Sequence, residues 1–173
     1  MDPNTFPTKG NLILAKNSLA LSRQGYELMD KKRNILIREM MELIDQAKEE
    51  LLWLLDASKD MDMLTFIGLP WMKDGKLYNV AAVIKSGELL GLVPKRHLPN
   101  YSEFYELRHF NPGPVKPDVV EWGERLIPFG SKVLFRCTNI PELVVAAELC
   151  EDVWTMDPPY SRSAPPRIMP YAV

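Results

Sequence analysis

From Asn11 to Ser58 the chain has no proline and a single glycine, Gly25, and is dominated by Leu, Met, Ile, Lys, Arg and Glu. These side chains lose little rotamer freedom in a helix, so the stretch is predicted to be helical. Leu14, Leu21, Leu28 and Ile35 recur at heptad spacing, and Leu36, Met40, Leu43, Ala47, Leu51 and Leu54 continue at three- and four-residue steps. One face of the helix is therefore apolar along its length. Such a stripe serves either as a coiled-coil seam or as the side of a helix that packs on a domain, and periodicity leaves both open. Lys31, Lys32, Arg33, Arg38, Glu39, Glu42 and Glu49 fall on the other faces and read as solvated surface.

After Asp62 the pattern changes to short apolar runs bounded by turn residues. Met63 to Gly68, Leu77 to Ile84 and Leu89 to Val93 are predicted strands. Lys73-Asp-Gly-Lys76 and Lys85-Ser-Gly-Glu88 each place a glycine where φ can be positive, and the second lies between two apolar runs as a hairpin turn does. Lys132 to Cys137 and Leu143 to Cys150, separated by Thr138-Asn-Ile-Pro141, form a second hairpin-like pair. Pro112, Pro114, Pro117 and Pro128 punctuate a charged stretch that reads as an irregular excursion. From Pro158 onward five prolines exclude helix and central strand, so a disordered or loosely docked tail is expected.

At 173 residues, 46% hydrophobic and 25% charged, the composition suits one soluble domain with room for an appendage. A formal net charge of -2 provides no global basic field, so nucleic acid and anionic lipid are not expected partners. Two cysteines, Cys137 and Cys150, are far from a disulfide scaffold and point to a reducing compartment. The residues after Met1 lack the basic region of a signal peptide. The run Leu51 to Leu55 is far short of the roughly 20 residues that cross a bilayer. Location in the cytoplasm, without membrane insertion, is the expectation.

Candidate chemistry centres on Cys150, where an apolar run gives way to Glu151, Asp152 and Trp154. A thiol at a strand end is a seat for a nucleophile, and on a two-residue period Glu148 shares its face. A carboxylate neighbour alone opposes a thiolate, so a positive partner is needed. A lysine could stabilise both the thiolate and a developing oxyanion. Lys95 sits at another strand end, ahead of the polar and aromatic segment His97 to Glu106. Taken alone, a free cysteine is more commonly an inert core residue. His97 and His109 show no metal-ligand spacing with Cys137 or Cys150 and read as surface residues, so no metal site is expected. The four tryptophans read as packing.

Gly68-Leu-Pro70, Asp74-Gly-Lys-Leu-Tyr-Asn-Val-Ala-Ala-Val83, Gly91-Leu-Val-Pro-Lys-Arg-His-Leu-Pro-Asn-Tyr-Ser-Glu-Phe-Tyr-Glu106 and Glu148-Leu-Cys-Glu-Asp-Val-Trp154 carry a further signal. With them, residues 47–163 resemble the nitrilase-like glutaminase domain of glutamine-dependent NAD synthetases. The resemblance implies an α/β fold, an α-β-β-α sandwich, in which a Cys-Glu-Lys triad hydrolyses L-glutamine. The ammonia released passes to a synthetase domain, to which ATP and magnesium belong. No cofactor is expected in this chain, which has no glycine-rich ATP-binding motif. By the same resemblance Cys150 is the nucleophile, Lys95 stabilises the tetrahedral intermediate, Tyr101 contacts the substrate and Glu103 orients the lysine. Association into homo-oligomers is also implied.

Residues 7–44, with Pro7-Thr-Lys-Gly-Asn-Leu-Ile-Leu-Ala-Lys16 and Ile35-Leu-Ile-Arg-Glu-Met-Met-Glu-Leu43, resemble instead the N-terminus of the D subunit of V/A-type rotary ATPases. That resemblance implies the start of a coiled-coil rotor shaft in a proton- or sodium-transporting machine. The chain thus reads as a fusion, divided into a helix over 1–46, an incomplete glutaminase domain over 47–163 and a divergent proline-rich tail over 164–173. The join lies near Ile44 to Lys48. Rotor-like residues stand where the glutaminase resemblance implies an early strand with the general-base glutamate, so impaired activity is expected. Glu148 or Glu106 could substitute as base. A rotor element pairing through Leu14, Leu21, Leu28 and Ile35 is the alternative function, and loss of both functions in the fusion is a third reading.

Overall fold

A computed structural model describes residues 7–159 and the backbone of residues 167–171. Its first element is the expected long helix, α1, Lys9–Ala57. Thr8 caps it, its hydroxyl accepting the Asn11 N–H at 3.2 Å. At the other end Ser58 takes over: its hydroxyl donates to the Leu55 carbonyl at 3.0 Å and accepts the Gly87 N–H at 3.2 Å. That one side chain joins the helix end to a turn between two strands.

The chain divides into two compact units, Met1–Leu43 and Ile44–Val173. In the first, the helical residues Leu14, Leu21, Leu28, Ile35, Leu36 and Leu43 are exposed. In the second, Ile44, Leu51 and Leu55 are buried. The last turns of the stripe thus pack on a domain, and the apolar residues of the preceding turns are exposed.

The second unit is built on a five-stranded sheet. Its strands are β1 (Thr65–Lys73), β2 (Lys76–Lys85), β3 (Glu88–Pro94), β4 (Asp118–Trp122) and β5 (Arg125–Phe129), in the order β1-β2-β3-β5-β4. A smaller sheet holds β6 (Val133–Cys137), β7 (Val144–Val145) and β8 (Arg167–Tyr171), in the order β7-β6-β8. Strand β2 is nearly all apolar because both of its faces are covered. Tyr78, Val80, Ala82 and Ile84 pack with Leu51 and Leu55 of α1 and with Phe129, whereas Ala81 and Val83 pack with Val133, Phe135 and Cys137 of β6. The layers run helix, sheet, sheet, which is α/β and supplies three layers of the expected sandwich. A second helical layer does not occur among the described residues.

Both glycine-bearing turns form hairpins. Asp74 and Gly75 (φ 50° and 71°) join β1 to β2, and Ser86 and Gly87 (φ 47° and 81°) join β2 to β3. Two consecutive positive φ values match the right-handed twist of the flanking strands. Gly91 serves a different purpose: a Cβ there would lie 3.0 Å from Pro128 and 3.2 Å from the Phe135 ring, so its bare backbone lets β5 and β6 close onto β3.

The structure departs from three expectations. The proline-punctuated stretch is not an irregular excursion throughout, because β4 and β5 form an antiparallel hairpin with Val119 opposite Pro128 and Trp122 opposite Arg125. Pro128 is tolerated because the pairing of β5 with β3 is confined to Leu92 and Phe129. The run Leu143 to Cys150 is not one strand: only Val144–Val145 pairs with β6, and the chain then leaves the sheet to turn at Cys150. The tail is not wholly loose, since β8 runs parallel to β6 from Arg167 to Tyr171. It is an edge strand, the position in which Pro170 can stand. The expectations for residues 160–166 lie outside the described residues.

Candidate active site

Lys95 follows directly on β3, and its backbone is held on both sides. Its N–H donates to the Asn79 carbonyl at 2.8 Å and its carbonyl accepts the Gly113 N–H at 2.8 Å. Gly113 must be glycine for that approach, because a Cβ would fall 2.8 Å from the Pro94 carbonyl oxygen. The Lys95 side chain is 1% exposed, and its ammonium donates to Glu106 Oε2 at 2.7 Å. Burying a charge without such a partner is costly, so the ion pair is a condition of placing the lysine there.

The carboxylate beside the lysine is Glu106, not the expected Glu103. The chain turns through Tyr101–Phe104 and enters a short 3-10 turn, Glu106–Arg108, whose first residue meets the ammonium. Glu103 is exposed, and a hydrogen bond from the Ser102 side chain, with one from its own backbone, holds its carboxyl below the ordinary range. Tyr101 is also exposed, and its hydroxyl donates to Glu151 at 3.0 Å. That bond, some desolvation, and the negative charges of Glu151, Cys150 and Glu103 raise its pKa above the usual phenol value.

Cys150 is exposed and opens a second 3-10 turn, Cys150–Val153. Its φ is 50°, in the left-handed region that a side chain ordinarily avoids. Holding a non-glycine residue there costs roughly 1–3 kcal/mol, a strain that clusters at functional sites. Leu149, immediately before it, is partly buried against the core between the sheets, so the strained residue sits where the chain leaves the apolar interior.

The two segments are tied together by Asp152, to which the sequence assigns no role. Its side chain is almost wholly buried, and its carboxylate accepts the Arg96 N–H at 3.2 Å on each oxygen and the His97 N–H at 2.7 Å. The His97 ring also meets the Asp157 carbonyl at 3.1 Å. Glu148 does not share a strand face with Cys150, since β7 ends at Val145, but its Oε1 is buried and without a hydrogen-bond partner, as is Arg96 Nη1. Among the described residues no group of three or more His, Cys, Asp and Glu is gathered to hold a metal ion.

The two linked segments carry an exposed thiol, a buried and carboxylate-paired ammonium, and an exposed phenol–carboxylate pair. A thiol so placed can attack an electrophilic carbon, and an ammonium can donate to the oxygen that becomes negative. Sequence reasoning offers Glu106 only as a substitute base and misses its pairing with Lys95, and it misses Asp152 altogether. Glu106 closes the motif that begins at Gly91, and its three-residue offset from Glu103 is the only sign that distinguishes them. Asp152 gives no sign beyond its place between Glu151 and Val153, because burial of an aspartate is not written in its identity.

Similarities to known proteins fall into two sets, which overlap within α1. Residues 11–65 match the family model of the ATP synthase D subunit. The D subunit of a V-type ATP synthase from Thermotoga neapolitana is 51% identical over 49 residues, which cover 27% of this chain and 24% of that protein. A glutamine-dependent NAD(+) synthetase from Mycobacterium bovis is 34% identical over 144 residues, 83% of this chain. Residues 47–173 are too few to hold that match, so it runs back into α1. The chain spans 20% of the length of that relative. Among solved structures, a glutamine-dependent NAD(+) synthetase from Cytophaga hutchinsonii aligns with a TM-score of 0.46 and 22% identity, covering 54% of this chain and 18% of that one. No described helix is long and apolar enough to cross a membrane. The chain thus joins a stretch similar to the V-type ATP synthase D subunit to a longer one similar to glutamine-dependent NAD(+) synthetases.

Proposed function

We propose that the chain carries the nucleophile and the oxyanion-stabilising lysine of a glutaminase, the carbon–nitrogen hydrolase part of a glutamine-dependent NAD synthetase. Cys150 Sγ attacks the side-chain carboxamide carbon of L-glutamine, and the C–N bond breaks. The thiol proton departs with the nitrogen as ammonia, leaving a glutamyl thioester. Water then cleaves the thioester, releasing glutamate and restoring the thiol. Lys95, oriented by Glu106, donates to the oxyanion, and Tyr101 contacts the substrate. The ammonia serves a synthetase domain that uses ATP and magnesium in NAD biosynthesis. With a rotor-like stretch in place of the strand that bears the base glutamate, turnover falls by about 10²- to 10⁴-fold.

The observation that carries this reading is the exposed Cys150 thiol on a left-handed backbone. Intact-mass labelling tests it with 6-diazo-5-oxo-L-norleucine, a diazoketone analogue of glutamine. Native protein is expected to gain one adduct, lost in Cys150→Ala and formed about 10²-fold more slowly after denaturation. Equal rates in native and denatured protein would sink the assignment.

A second reading rests on the exposed stripe of residues 9–43 and its similarity to the V-type ATP synthase D subunit: these turns pair with another helix in a shaft-like assembly. Sedimentation of the full chain is expected to show concentration-dependent association that Leu21→Glu with Leu28→Glu abolishes. A mass independent of concentration in the native chain would count against it.

A further inference from the structure

We infer that Asp152 is a positioning residue, which sets the Cys150 turn against the lysine-bearing segment and so aligns thiol and ammonium on one substrate. The inference rests on the glutaminase reading and deepens it. Asp152 lies two residues beyond the thiol, and the two N–H groups that it accepts belong to the two residues following Lys95. One carboxylate therefore ties the nucleophile to the oxyanion donor through backbone, leaving both functional side chains unencumbered. Burial to 1% exposure keeps water from competing for those oxygens.

Three properties suit aspartate to this task. An ionised carboxylate offers only acceptors, so it can receive N–H groups from consecutive residues on both oxygens. Bonds to a charged acceptor are stronger than neutral ones, and they hold geometry more tightly. The side chain is also short, so it transmits the position of its own backbone with few rotatable bonds. Asparagine keeps one acceptor oxygen but turns an NH₂ toward backbone donors, and alanine removes the tie. Tyr101 with Glu151 and His97 with the Asp157 carbonyl also link the segments, but through an exposed and a half-buried side chain, whereas the Asp152 carboxylate is shielded from solvent.

The test uses the full chain and two probes with different demands. Iodoacetamide needs only an accessible thiol, whereas 6-diazo-5-oxo-L-norleucine needs thiol and ammonium in register. Asp152→Ala is expected to slow diazoketone labelling of Cys150 by about 10- to 100-fold. Iodoacetamide labelling of Asp152→Ala, compared at an alkaline pH where the thiol is ionised in every variant, should change by less than about threefold, with Asp152→Asn falling between, and Lys95→Met should share the slowed diazoketone labelling. Folded Asp152 variants that take the diazoketone at the native rate while Lys95→Met is slow would overturn the inference and spare the glutaminase reading. A Lys95→Met variant that labels at the native rate would remove the reading, and the inference with it. If Asp152→Ala does not fold, Asp152→Asn decides. Loss of native structure in both, read by circular dichroism, would assign Asp152 to the fold alone and overturn the positioning role.

Discussion

Glu106→Ala is expected to lower the stability of the chain by about 2–3 kcal/mol in denaturant titration, because it strands the buried Lys95 ammonium. Removing one partner of a fully buried pair costs about 3–5 kcal/mol; Glu106 retains 26% side-chain exposure, which allows some water to compensate. The Lys85–Asp62 pair is the internal control. Lys85 is also buried, but Asp62 is 68% exposed, and Asp62→Ala is expected to cost less than about 1 kcal/mol. Equal losses in the two variants would mean that the Lys95 pair has no special place. Glu106→Gln separates charge from shape: it keeps an acceptor oxygen for the ammonium and should recover part of the loss.

Phe135→Ala is expected to cost about 3–5 kcal/mol and to lower Tm by about 10 °C, a larger effect than loss of the Glu106 carboxylate. Its ring is fully buried between the two sheets, among Ala81, Val83, Val93 and Val133, with Phe66 edge-on at 6.3 Å. Gly91 has no side chain to collapse into the space, so a cavity remains. Phe66→Ala, on the exposed side of the same pair, should lose only about 1 kcal/mol. The packed residues also include Ala147 and Leu149, which lead to Cys150. Loss of the ring should therefore loosen the approach to the thiol as well as the core. A Phe135→Ala variant within 1 kcal/mol of native in calorimetry would contradict the packing described.

The hairpins of β1, β2 and β3 are legible because two local signals coincide there: short apolar runs and glycine at the positive-φ turn positions. The hairpin of β4 and β5 carried the first signal in Val119, Val120, Leu126 and Ile127, but the prolines around it obscured the pattern. Those prolines are harmless at a sheet edge and at the sparse junction of β5 with β3, and neither circumstance is visible before the strands are assembled. Leu143 to Cys150 misled in the opposite sense. It is apolar because Ala147 and Leu149 pack on the core, although it is not paired as strand beyond Val145. Cys150 and Lys95 could be picked out as strand-end chemistry. The carboxylates that hold them could not, since Glu106 and Asp152 acquire their partners across gaps of 11 and 55 or 56 residues.

Those gaps bear on the order in which the molecule assembles. The hairpins close over two-residue turns and need little loop-closure entropy, whereas the bonds joining residues 96–101 to residues 151–157 each close fifty residues or more. Such long-range links form only after the sheets have brought their ends together. The reactive arrangement is accordingly expected to form after the hairpins during folding. On warming, chemical competence is expected to fade while most of the sheet hydrogen bonds still resist exchange with solvent, an order that hydrogen exchange followed alongside Cys150 labelling would check.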